Sequence, residues 1–146
     1  MLSILSKNTI CNDDLHRLAV GKGAQIDYAP LPSAQAVAIK MADRFFIGLD
    51  YGIPENSPEE RIILAHELGH IHTDAFYGLR APEPVRKHAE MLAERWAVRQ
   101  LVPKAQLCAL LAQGKESWEL AEHFNVTEDF IRKACYFYFE CGMQAD

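Results

Sequence analysis

The pattern of hydrophobic and polar positions changes character near residue 57. Before it, three short segments, Ala24 to Tyr28, Ala36 to Met41 and Phe45 to Tyr51, are rich in β-branched and aromatic residues. Turn material at Pro30 to Ser33 and at Ala42-Asp43 separates them, so each reads as a strand, and the last two lie close enough to form a hairpin. A short helix is expected from Asp13 to Val20, broken by Gly21-Lys22-Gly23. From Ser57 onward everything reads as helix, with breaks near Gly78 to Pro84, at Pro103, at Gly114 and at Asn125 to Thr127. Strands followed by helices predict an α+β fold, with a small, mostly antiparallel N-terminal sheet packed on a helix and a helical C-terminal half.

The helix that opens this second region carries its own start signal. Ser57 suits the N-cap, Pro58 the first helical position, and Glu60 the far side of a capping box. Ile62, Ile63, Leu64, Leu68 and Ile71 give it apolar residues around most of its circumference, which predicts a central place in the core. Gly69 in its interior costs roughly 1 kcal/mol relative to Ala, so a close approach by a neighbouring strand or a peptide substrate is expected there. The next helix spans Glu83 to Val102, entered through Pro82 and Pro84 and stopped near Pro103.

Candidate chemistry concentrates in His66-Glu67-Leu68-Gly69-His70. On a helix, residues four apart lie about 40° apart in azimuth and roughly 6 Å apart along the axis, so both imidazoles can reach one ion. Glu67, one step round from His66, can then contact a water on that ion without being a ligand. This is the donor arrangement of a zinc hydrolase. Such a site takes a third protein ligand. A third histidine six residues after His70 is excluded, because that position is Phe76 and the accompanying glycine position is Thr73. Glu83, Glu90 and Glu94 on the following helix are the acidic candidates. Positions 90, 94, 97 and 101 share one face, and Ala97 and Leu101 make that face core-directed.

Leu64-Ala65-His66-Glu67-Leu68-Gly69-His70, then Glu90-Met91-Leu92-Ala93-Glu94-Arg95-Trp96-Ala97, and finally Leu101-Val102-Pro103 together resemble the ImmA/IrrE family of metallopeptidases. In that family an HELGH helix precedes a segment close to E-x-x-A-[ND]-x-F-A and a closing L-[ML]-P. The resemblance covers about residues 25 to 140 and implies a zincin-like metallopeptidase fold with one catalytic Zn²⁺. By this match Glu90 is the metal-binding glutamate and Glu94 stands where Asn or Asp is usual; Trp96 replaces Phe, and Val102 replaces Met. Glu94 stays open as an alternative third ligand or as a partner that orients a ligand. The resemblance also implies a bacterial cytoplasmic enzyme, often encoded with phages or mobile elements, whose protein substrate is a helix-turn-helix transcriptional repressor. Zincins place a sheet edge beside the metal, where an extended peptide can add as a strand.

Catalysis at such a site assigns Glu67 as general base and requires a donor for the oxyanion besides the metal. Tyr51, Tyr77, His72 and His88 are open for that part, each with the plainer alternative of a surface or core-edge side chain. Asp74 is open as an acceptor from a ligand histidine or as a solvated carboxylate.

Composition narrows the remaining possibilities. The 146 residues suit a single domain, 1–146, with a strand-rich part at 24–51, catalytic helices at 57–102 and a helical closure at 103–146. Met1 to Leu5 is too short an apolar run for a signal peptide, and no stretch of about eighteen apolar residues suggests a membrane span. Cys11, Cys108, Cys135 and Cys141 are scattered, so reduced thiols in a cytoplasmic chain are expected. The segment Ser117 to Ile131 has a helix-turn-helix cadence, with Leu120, Ala121, Phe124, Val126 and Ile131 as packing set and Thr127 as a cap. Six acids against Arg132 and Lys133 between Glu116 and Glu140, in a chain of formal charge -5, argue against DNA as its partner. The alternative function is a non-catalytic metal-binding or helix-turn-helix regulatory protein acting through protein or DNA. Tyr136 to Phe139 is too continuous an aromatic run for one helix face and is expected to be split between core and surface. Oligomeric state is not legible.

Overall fold

Alternation along β3 (Arg44–Asp50) explains where the sheet sits: Ile47 and Leu49, on one face, are 1% and 0% exposed and form the sheet's contribution to the core. The computed structural model describes residues 12–145; Cys11 and the apolar Met1 to Leu5 lie outside that range. α1 (Asp13–Gly21) leads into β1 (Ala24–Ala29), followed by β2 (Ala36–Met41) and β3. Then come α2 (Pro58–Thr73), α3 (Glu83–Leu101), α4 (Lys104–Ala112), α5 (Ser117–Phe124), α6 (Glu128–Cys135) and a π-helical turn, Tyr136–Glu140. The architecture is α+β, with a three-stranded N-terminal sheet and a helical C-terminal half.

The strand order is β1-β3-β2. β2 and β3 form the expected antiparallel hairpin, closed through Ala42 at φ 57. β1 pairs with β3 in parallel, Ala24 opposite Phe45 through Ala29 opposite Asp50, so the sheet is mixed. Residues 30–35 skip one strand position, and β3 returns to fill it. The Asp50 carboxylate secures this crossing by accepting from the N–H groups of Leu31 (2.8 Å) and Gly52 (2.9 Å).

α2 begins as its sequence signals: Ser57 Oγ accepts from the Glu60 N–H, and Pro58 opens the helix. Glu60 does not complete a capping box, however. Its side chain is 1% exposed and accepts from Asn12 Nδ2 (2.9 Å), Tyr28 OH (3.0 Å) and the Asn56 N–H (3.3 Å). A buried carboxylate needs such partners, and here they tie α2 to β1 and to the entry of α1. Arg61 adds a two-pronged contact to Asp14, at 2.8 and 2.9 Å.

α2 and α3 run side by side in the same direction. His66 meets Glu90, Gly69 meets Ala93 and His72 stacks on Trp96, a constant offset along the two helices. Gly69 owes its identity to this packing: a Cβ there would lie 2.9 Å from Ala93 Cα and 3.0 Å from its carbonyl carbon. The close neighbour is therefore a helix backbone, not a strand or a substrate. Parallel helices also force the connection, residues 74–82, to double back along them. Leu64, Leu68, Val98 and Val102, all 0% exposed, fill the interior on either side, each contributing about 1.5–3 kcal/mol by burial.

The C-terminal helices pack as their spacing predicts. Leu120, Ala121, Phe124, Val126 and Ile131 are buried, and Thr127 Oγ1 caps α6 by accepting from the Phe130 N–H. The π-helical turn resolves the aromatic run, burying Phe137 and Tyr138 while Tyr136 and Phe139 face outward. Cys108, Cys135 and Cys141 are free thiols. Among the described residues, no helix is long and apolar enough to cross a membrane.

Candidate metal centre

One helical turn of α2 puts His66 and His70 on the same side, with ring centroids 5.0 Å apart and planes nearly perpendicular. α3, locked against α2 at Gly69 and Ala93, brings Glu90 opposite them. His66 Nε2 lies 2.7 Å from Glu90 Oε2, and His70 Nε2 lies 3.2 Å from Oε1. One ligand atom from each of the three residues falls within 4.8 Å of the other two, a group that could hold a metal ion.

The supporting contacts fit that use. His70 Nδ1 lies 2.7 Å from the Ala75 carbonyl oxygen. A carbonyl can only accept, so an N–H sits on Nδ1, which leaves Nε2, on the Glu90 side, as the ring's ligating atom. Tyr77 donates its hydroxyl to Glu90 Oε1 at 2.7 Å. Burial pushes the Glu90 carboxyl up, but the Tyr77 hydroxyl and the two imidazoles outweigh it and hold its pKa below the ordinary value. Donation to Glu90 is also the main reason that the Tyr77 phenol is pushed up to about 12, with burial and the Glu90 charge adding to it. Two imidazoles and an ionised carboxylate form a donor set for a divalent cation of the zinc type.

Glu67 is only 9% exposed and makes no ion pair with a basic residue among those described. Burial first, and the Glu90 charge second, push its carboxyl up to about 7. It lies between two cavities. One, of about 290 Å³, is walled by Ile62, Ile63 and His66. The other, of about 230 Å³, includes His70, Tyr77 and Glu90. Ala36 of β2 borders both.

The remaining candidates are dispersed. Glu94 turns away from the histidines and pairs with Lys133 of α6, so it is placed neither as a ligand nor as a partner of one. Arriving one turn after Glu90 on the same helix, it is drawn aside by a cation that only the tertiary fold brings near. Asp74 sits at the left-handed C-cap of α2 and pairs with Lys40 at 3.0 Å; the acceptor for His70 is the neighbouring Ala75 carbonyl. His72 stacks on Trp96 at 4.4 Å, and burial lowers its pKa. His88 and Tyr51 are exposed. Of the four residues considered as oxyanion donors, Tyr77 alone touches the His66–His70–Glu90 group. One participant had no signal along the chain, since the Ala75 carbonyl is a backbone group. A sheet edge beside the site was expected from the resemblance, and Ala36 of β2 borders Glu67 there.

Residues 52–136 match the family model of the IrrE N-terminal-like domain, a peptidase family. No curated protein matches the chain. The family match spans more than half of the sequence and includes both helices that carry His66, Glu67, His70 and Glu90, and on that basis the chain belongs to the ImmA/IrrE family of metallopeptidases, with the IrrE N-terminal-like domain.

Proposed function

We propose that this chain is a zinc-dependent endopeptidase that cuts one specific protein in the bacterial cytoplasm, a helix-turn-helix transcriptional repressor. The observation that carries the chemical part is the convergence of His66, His70 and Glu90 with an intact, buried Glu67 one residue from the first histidine. A closed structural site has no use for such a carboxylate. His66, His70 and Glu90 would hold the ion. When bound, a zinc ion supplies Lewis acidity, polarising the scissile carbonyl and lowering the pKa of water to about 7.

The chain's own residues do the rest. Glu67, buried beside His66, accepts a proton from the attacking water and passes it to the leaving amine nitrogen, work typically worth about 10²–10⁴ in rate. The Tyr77 hydroxyl has one proton, which it donates to Glu90 in the free chain; with Glu90 on the ion, that O–H would turn to the oxygen that gains charge as water adds. Ala75 holds His70 in its ligating tautomer.

The free edge of β2 supports an extended substrate. Asp50 N–H donates to the Gln35 carbonyl, which fixes the bonded pairs of the hairpin as 37 with 48, 39 with 46 and 41 with 44. Ala36 and Ala38 therefore turn their N–H and C=O away from β3 onto the free edge, and both border one cavity with Glu67 and His70. The choice of a repressor as substrate, and of the cytoplasm as compartment, comes from the family resemblance.

Glu67→Gln tests the reading. The variant is expected to retain zinc at the wild-type stoichiometry and to lose about 10²–10⁴ in turnover of a cleavable protein. Unchanged proteolysis would refute the assignment, and loss of the metal would show Glu67 to be a ligand instead.

A further inference from the structure

Ile62 and Ile63 stand one helical turn before His66 and Glu67, so their side chains lie directly upstream of the reactive pair on the same face of α2. Both are half-buried and packed against the core. They also wall the cavity of about 290 Å³, which Glu67, His66 and the small Ala36 complete. Ala36 matters by what it omits: at the inner face of β2 it leaves open the space that a larger residue would fill. Branching at Cβ leaves each isoleucine few rotamers, so the wall is preformed.

We infer that Ile62 and Ile63 form a specificity pocket for one large apolar side chain of the substrate, adjoining the scissile bond. This rests on the peptidase reading and deepens it. A strand laid on the edge of β2 directs alternate side chains toward α2, and one of them enters this cavity. The pocket offers dispersion and desolvation, and among the described residues its charged or polar lining is the catalytic pair and Gln35. The substrate class follows. Large apolar residues are mostly buried in folded proteins, and edge pairing needs unpaired backbone. The cleavable segment is therefore an extended linker that displays a Leu, Ile, Met or Phe, and helices or paired strands of the same protein are refractory.

The full chain, loaded with zinc, is given a library of peptides tiled across bacterial helix-turn-helix repressors and the cut sites are read by mass spectrometry. The same library is passed over zinc-loaded Glu67→Gln, which reads retention without turnover. Both readouts are expected to show enrichment of Leu, Ile, Met and Phe at one position within a residue of the cut. Ile62→Ala and Ile63→Ala, checked for zinc content and cooperative unfolding, are expected to shift that position toward Phe and Trp. They should also lower kcat/KM for the Leu peptide about tenfold. Cutting without an apolar position, or with a preference that both variants leave unmoved, overturns the pocket and leaves the peptidase. Selective retention that depends on Ile62 and Ile63, with no cutting by the wild type, sustains the pocket and overturns the peptidase. Neither cutting nor retention overturns both.

Discussion

A methyl group at residue 69 has nowhere to go, because the backbone of Ala93 occupies the space on the side where it would project. Gly69→Ala should gain about 1 kcal/mol in helix propensity and lose about 3 kcal/mol or more to overpacking against a backbone that cannot rotate aside. The net effect is destabilisation, read as a lower denaturation midpoint at unchanged m-value, and a variant as stable as the wild type would contradict the packing. The two glutamates of α3 separate just as sharply. Glu90→Gln is expected to weaken zinc binding at least about a hundredfold, whereas Glu94→Gln leaves it within about twofold and costs under about 1 kcal/mol, the worth of a half-exposed ion pair. Titration calorimetry on the two variants distinguishes them, and equal losses would return Glu94 to the site.

At the level of elements, the working edge belongs to β2. Ala38→Pro removes an N–H that the ladder to β3 does not use, and proline is tolerated on an edge strand. The fold should persist while KM for a cleavable segment rises about tenfold or more, the loss of one backbone hydrogen bond and of close approach. Ala38→Gly, which keeps the N–H, should leave KM near the wild-type value. A proline variant with normal KM would mean that substrate does not pair there. What the chain disclosed in advance and what it withheld divide by range. Ser57 and Pro58 mark a helix start by local chemistry, the histidine spacing is a property of one turn, and the strand limits came within a residue or two. The parallel docking of β1, the diversion of Glu94 to Lys133 and the burial of Glu60 against Asn12 and Tyr28 each join residues distant along the chain. Asp74 was passed over for a backbone carbonyl, which no residue type announces.

For the molecule as a whole, the ion and the fold should be linked, since the cluster exists only when α2 and α3 are docked. Zinc at about a hundred times its Kd adds about 2.7 kcal/mol, which for a chain of this size is roughly 5–10 °C in Tm. Chelation should reverse the gain and Glu90→Gln should abolish it, both read by calorimetry. Equal thermal stability with and without zinc would show that the cluster does not bind it tightly. The parallel course of α2 and α3 carries a consequence for biosynthesis. The two imidazoles leave the ribosome well before the carboxylate that must face them, and the intervening strap has to fold back before the helices can meet. Under the proposed activity, a half-made chain is a harmless one: no cutting edge exists until translation has passed Glu90 and the second helix has docked, so the cell is spared a protease that works while still being built.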